Sequence, residues 1–500
     1  MHDPTPSRAP WYRRVRKGRW WIPAALGAII LPALATQSGC AVNPVTGQRQ
    51  FVLFTESQEI AMGQEADRDI TASLGEYDHE GLAALLAEMG EGMAAISERP
   101  DLPWTFRVLD DPTVNAFALP GGYIYMTRGI LTHLTSEAAV AGIVGHEIGH
   151  VTARHGITRV SRAQIAQLGL GAAMILAPDL QPFGDAVGAG VQLLFLRNSR
   201  ADERQADELG MGYMQELGYD PREMASVFDM LARASGARDG NRIPGFLSTH
   251  PDPLERRDEI LARVAEAGED LSRAQVGRES YLRLLDGITF GENPREGFFR
   301  ESVFHHPDMA FRLEFPSGWR TANARTQVQG ISPEQDAAIL LTIAQEDTPQ
   351  AARSAFISDS GAETLAQSEA GVGGLPAASA EFRIRSDGNT FLGEVVFVRH
   401  GDLTFQVLGY ATEGAWSQRR SPVTAALRSF RPETDQEILD IQPRTIELVE
   451  APRNMTFQEF LQEYPSTLDE ETVGTINQMD PGDRVLRGML LKRIVGGPGA

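Results

Sequence analysis

The pentapeptide His146-Glu147-Ile148-Gly149-His150 constrains the fold more than any other part of this 500-residue chain. It lies in the run Ser136-Glu137-Ala138-Ala139-Val140-Ala141-Gly142-Ile143-Val144, which continues past His150 through Val151-Thr152-Ala153-Arg154-His155-Gly156. That run predicts a helix, with Ser136 or Thr135 as its N-cap and Gly156 as its stop. On a helix, positions i and i+4 share a face, so the imidazoles of His146 and His150 can grip one metal ion. Glu147 is offset enough to stay off the metal and still reach a water bound to it. Two ordinary histidines on a solvated helix are the plainer alternative, and a second segment argues against it. In Asn198-Ser199-Arg200-Ala201-Asp202-Glu203-Arg204-Gln205-Ala206-Asp207-Glu208, Glu203 can supply a third ligand. A catalytic zinc takes three protein ligands and keeps one position for water. Asp207, one turn further, faces the same way and can accept a proton from a ligand histidine. The expectation is one zinc ion per chain.

The surroundings of this motif exclude several classes. Formal charge is −21, and residues 1–39 carry six basic side chains against Asp3, leaving −26 for the remainder. An acidic body of that size repels phosphate backbones, so nucleic acid is not an expected partner. There is one cysteine, Cys40, hence no internal disulfide and no cysteine zinc cluster. Basic residues up to Arg19 precede an apolar run, Trp20–Ala35, and then Gln37-Ser38-Gly39-Cys40, the layout of a secretory signal. Sixteen apolar residues with two prolines are short for a membrane span. Small residues directly before the lone cysteine resemble a bacterial lipoprotein cleavage site, although Gln37 stands where that pattern prefers leucine. Residues 1–39 are therefore read as a signal peptide and Cys40 as a lipidated first residue. Ala41 and Val42 follow it, so the aspartate of an inner-membrane retention signal is missing. This favours the outer membrane, facing the periplasm.

The predicted fold class is α+β. Residues 40–290 read as a mainly helical zincin-type unit with a small sheet, whose Pro120-Gly121-Gly122 centre marks a turn or an edge strand in Ala116–Met126. The apolar stretches Ile165–Pro178 and Phe183–Leu196 are too short for membrane spans and read as buried helices or a flap against lipid. Residues 300–432 alternate as sheet strands do, for example at Phe311–Phe315, Val395–Val398 and Leu403–Val407, and form an α+β accessory unit. After a linker, Thr434–Gln442, residues 443–495 read strand, helix, helix, strand (Thr445–Val449, Thr456–Tyr464, Glu471–Ile476, Met489–Ile494). That order resembles a LysM module, which implies glycan or peptidoglycan binding, with a non-binding scaffold as the alternative.

His146–His150 together with Ser199–Asp207 resembles the zinc endopeptidases related to the CaaX prenyl endopeptidases and the HtpX-type proteases. Within that family the chain looks most like the periplasmic lipoprotein members. Cys40-Ala41-Val42-Asn43-Pro44-Val45-Thr46-Gly47, Asn115–Gly122, Gly218-Tyr219-Asp220-Pro221 and Ser248-Thr249-His250-Pro251 also match, while Asn198 replaces a frequent tyrosine. The resemblance implies peptide-bond hydrolysis, with Glu147 taking a proton from water and passing it to the leaving amine. It implies pairing of an extended peptide with the strand at Asn115, Ala116, Phe117 and Ala118. It also places His250 near the metal, where it could occupy the fourth position in a resting state, and it leaves Arg256 to stabilise an oxyanion. His133 and His155 are expected to be packing or surface residues, and His305, His306 and His400 to have no role. The expected substrates are unfolded or misassembled envelope proteins, and the membrane is reached by the lipid anchor. The competing reading is an envelope scaffold or chaperone whose peptidase is rarely used.

Overall fold

The computed structural model describes residues 40–170, 197–236, 245–386 and 388–497. The signal segment 1–39 and the stretch Phe183–Leu196 lie outside the described residues. So does most of Ile165–Pro178. The fold class is α+β, as expected. Among the described residues no helix is long and apolar enough to cross a membrane.

A short antiparallel hairpin, β1 (Cys40–Val42) and β2 (Arg49–Phe51), precedes α1 (Glu56–Leu74) and α2 (Glu80–Ile96). Next come β3 (Thr105–Leu109), β4 (Ala116–Leu119) and β5 (Tyr123–Thr127), in a sheet of order β3-β5-β4. The Pro-Gly-Gly signal is a hairpin turn between β4 and β5. Gly121 and Gly122 have φ of 86° and 101°, a region a β-carbon disfavours. The turn leaves β4 at the sheet edge.

After α3 (Arg128–His133) comes the helix of the His146–His150 motif, α4 (Glu137–Thr152), whose N-cap Ser136 Oγ accepts the Ala139 N–H at 3.1 Å. The expected stop at Gly156 is corrected. Arg154 takes a left-handed φ of 61° and turns the chain just after Thr152, so Gly156 falls in the first turn of α5 (His155–Leu170). Helix α6 (Arg200–Glu216) crosses α4 at bare backbone. A β-carbon on Gly210 would sit 2.7 Å from the His146 nitrogen, and one on Gly145 would sit 3.0 Å from Gly210 Cα. Side chains at that crossing would hold the helices apart; glycines let α6 carry Glu203 and Asp207 up to the histidines. Helices α7 (Arg222–Gly236), α8 (Gly245–Thr249) and α9 (Pro253–Ala267) complete this layer.

Residues 298–432 pack around a hydrophobic cluster of their own. A seven-stranded antiparallel sheet there has α10 (Pro349–Ser360) and α11 (Glu413–Leu427) against it, beside a four-stranded sheet. Residues 444–496 hold two helices between two antiparallel strand pairs, Arg444–Glu450 with Leu490–Gly496 and the short Met455–Thr456 with Arg484–Val485, the latter pair absent from the expected order. Their Ile446, Ile476 and Ile494 join the same buried cluster as Ile143, Val144 and Ile148 of α4. Lys492, fully buried, donates from Nζ to the carbonyls of Thr132 (2.9 Å) and Leu134 (2.8 Å), just ahead of the α4 N-cap. Lys492→Met withdraws a donor from both carbonyls. An expected loss of about 2 kcal/mol should appear as a melting midpoint lowered by roughly 4–8 °C. An unchanged midpoint in calorimetry would show that the contact contributes nothing.

Candidate metal centre

Four buried side chains converge where α4, α6 and the end of α8 meet. His146, His150, Glu203 and His250 each offer a ligand atom within 4.8 Å of the others. His146 Nε2 and His150 Nε2 lie 3.0 Å apart, and the Glu203 oxygens stand 3.6 and 3.4 Å from them. His250 Nδ1 is 3.0 Å from both Glu203 oxygens and 3.2 Å from His146 Nε2. Burial holds His150 well below the usual imidazole pKa, hence neutral, the form that ligates a metal. Burial also opposes ionisation of Glu203, but His250 and Arg256 outweigh it and keep the carboxylate charged. Imidazole nitrogens crowded together beside a carboxylate fit a divalent cation, since without one their lone pairs face each other.

Glu147 sits at the rim of this cluster. Its Oε1 is buried, makes no hydrogen bond, and lies 3.5 Å from His250 Nε2. Burial pushes its carboxyl up to about 7, with nearby His146 acting against that rise. Such a group can take and release a proton near neutral pH. Phe117, Ala118 and Leu119 of β4 line the same cleft as Glu147 and His150. Of the four expected peptide-binding positions, Phe117 and Ala118 line the cleft, and Asn115 and Ala116 do not.

Asp207 lies where its spacing suggested, with Oδ1 2.9 Å from His146 Nδ1, so it fixes which ring nitrogen faces the cluster. Arg256 lies against the carboxylates of the same cluster. Its Nε and Nη2 bond Asp207 at 2.8 and 2.5 Å, its Nη1 pairs with Glu203 Oε2 at 2.7 Å, and its guanidinium lies over the Phe228 ring. Its guanidinium is thus engaged by two buried carboxylates, Asp207 and Glu203. Two neighbours were missed. His155 is buried, with Nδ1 2.8 Å from His150 Nδ1 and Nε2 3.1 Å from Gln205 Oε1, so it orients a candidate ligand. Its position just past the kink at Arg154 was the only available signal. Asn198 places Nδ2 3.3 Å from both His150 Nε2 and His250 Nδ1. His133 packs against Phe290, and His305 pairs with Glu433, both away from the cluster.

Residues 82–264 match the family model for peptidase family M48. Over 193 residues the chain is 37% identical to mitochondrial metalloendopeptidase OMA1 of Arabidopsis thaliana, covering 37% of each chain. The Schizosaccharomyces pombe protein of that name is 29% identical over 243 residues, 47% of this chain and 68% of that one. The beta-barrel assembly-enhancing protease of Yersinia pestis is 26% identical over 243 residues, 47% of each. The chain thus spans about half the length of the curated relatives it matches. On this geometry and these matches, residues 82–264 are similar to peptidase family M48, with the candidate metal centre inside the matched segment.

Proposed function

We propose that the chain is a zinc-dependent endopeptidase of the bacterial envelope, anchored through lipid on Cys40, that cleaves unfolded or misassembled envelope proteins on the periplasmic side of the outer membrane. The observation that carries the peptidase reading is the unpartnered, buried Glu147 oxygen beside three convergent ligand side chains. His146, His150 and Glu203 would hold the zinc. When bound, zinc supplies a Lewis acid that polarises a carbonyl and acidifies water. Glu147 then holds the proton that leaves the attacking water and delivers it to the departing amine. Asp207 and His155 keep the two imidazoles oriented, and Arg256 keeps Asp207 and Glu203 charged. Among the described residues β4 has no strand on its outer side, which leaves backbone groups for an extended peptide. Binding of that kind reads main chain and suits unfolded substrates. The name of the Yersinia pestis relative, beta-barrel assembly-enhancing protease, supports an envelope setting.

In this reading His250 fills the fourth position at rest and withdraws when peptide enters. Turnover of unfolded casein at saturating zinc tests it: His250→Ala should cleave faster than the wild type. Loss of cleavage with zinc retained would make His250 a catalytic residue and remove the resting plug. For the substrates, envelope proteins should accumulate beside Glu147→Gln and not beside the wild type. An unchanged envelope proteome would sink the quality-control reading.

A further inference from the structure

The Cys40–Gly47 motif has no part in the chemistry above, and its geometry points elsewhere. Asn43 is buried, its Oδ1 accepts the N–H groups of Val45 (2.8 Å) and Thr46 (3.1 Å), and Gly47 completes the turn with φ of 68°. The inward side of the hairpin is fastened to the end of α4. Asn43 Nδ2 and Gln50 Nε2 both donate to the Ala153 carbonyl, at 3.3 and 3.2 Å, and Val52 is buried. Residues alternate between faces along a strand, so Val42, Arg49, Phe51 and Leu53 fall on the other side. There Val42 is 57% exposed, Phe51 41% and Leu53 36%, and Arg49 is exposed too. By register Cys40 stands directly opposite Phe51.

We propose that this outward face, Val42, Phe51 and Leu53 with Arg49, is a docking surface for the phospholipid bilayer. The proposal rests on the lipid anchor at Cys40 assumed above and deepens it. The occupant follows from what adjoins the patch: Cys40, the lipid-bearing residue in the reading above, is paired in register with Phe51 of the patch, so its acyl chains would enter the bilayer beside these side chains. Arg49 adds a cation that can reach lipid phosphates while its stem lies along apolar surface. Because Asn43 and Gln50 clamp the hairpin to Ala153, seating these side chains in the interface would fix how the cleft is held relative to the membrane, which an acyl chain on a loose tether would not do.

Cys40 is the only cysteine, so once it carries lipid an introduced thiol can be labelled alone. The full chain with Phe51→Cys, or with Leu403→Cys as an exposed apolar control in the accessory unit, is labelled with an NBD fluorophore. Each is reconstituted on vesicles of phosphatidylethanolamine and phosphatidylglycerol. The label at 51 should emit blue-shifted from the label at 403 and be quenched several-fold more slowly by aqueous dithionite. If the chain floats with the vesicles and both labels behave alike, the docking surface is wrong while the anchor stands. If the chain does not float, the anchor reading fails and the docking surface with it.

Discussion

Glu147→Gln should bind zinc as the wild type does and lose peptide hydrolysis by about 10²–10⁴-fold, the range a positioned general base contributes. The swap is nearly isosteric, and Glu147 is not among the four groups that converge on the candidate metal position, so metal content should hold. What changes is the proton. A carboxylate buried enough to sit near 7 can accept one from water and return it within a turnover. An amide can do neither. The orphaned Oε1 makes the expected effect a clean loss, because no structural hydrogen bond at that atom is broken. Steady-state cleavage of unfolded casein, with zinc measured on the same samples, checks it. Retained cleavage would remove Glu147 as the base, and lost zinc would make it a structural residue.

Arg256→Met should damage the metal-free protein far more than the zinc-loaded one. In the wild type the guanidinium pairs with Asp207 and Glu203, both buried. Breaking a buried pair by removing one partner costs about 3–5 kcal/mol, because a charge is left uncompensated. Zinc would neutralise Glu203 again, so loading should recover part of the loss. The sign with pH also reverses. In the wild type burial opposes ionisation of Asp207, but Arg256 together with His146 outweighs it and holds the carboxyl below its ordinary pKa, so this contribution is full above the unfolded pKa and is lost on acidification. In the variant the buried carboxylates titrate upward, so its stability should fall as pH rises. Denaturant unfolding with and without zinc, at two pH values, reads both effects. A variant of unchanged stability whose kcat alone drops would assign Arg256 to the oxyanion.

The contrast between these two residues marks what could be read from the chain. The pentapeptide told its own geometry, because i and i+4 on a helix leave two imidazoles no other arrangement, and Ser136 and the Pro-Gly-Gly turn announce themselves locally. Glu203 and Asp207 followed from spacing once a site had been started. Arg256 did not, because its role depends on which side of the carboxylates α9 passes. His155 and Asn198 enter through a kink and a helix start whose directions have no sequence signature. The crossing that assembles the centre uses Gly145 and Gly210, and a helical glycine does not name its partner. Lys492 is hardest of all: a lysine reads as surface, and only the packing of a distant strand against α3 and α4 shows two carbonyls waiting for it.

The central claim is that His146, His150 and Glu203 hold one zinc beside Glu147. X-ray absorption at the zinc edge, on the full chain loaded with a single equivalent, addresses it most directly. The account predicts one bound zinc with a nitrogen and oxygen shell at about 2.0–2.2 Å and imidazole scattering beyond it. A sulfur shell at about 2.3 Å would place the metal on Cys40, and together with a chain that retains no zinc it is the result that would contradict the assignment.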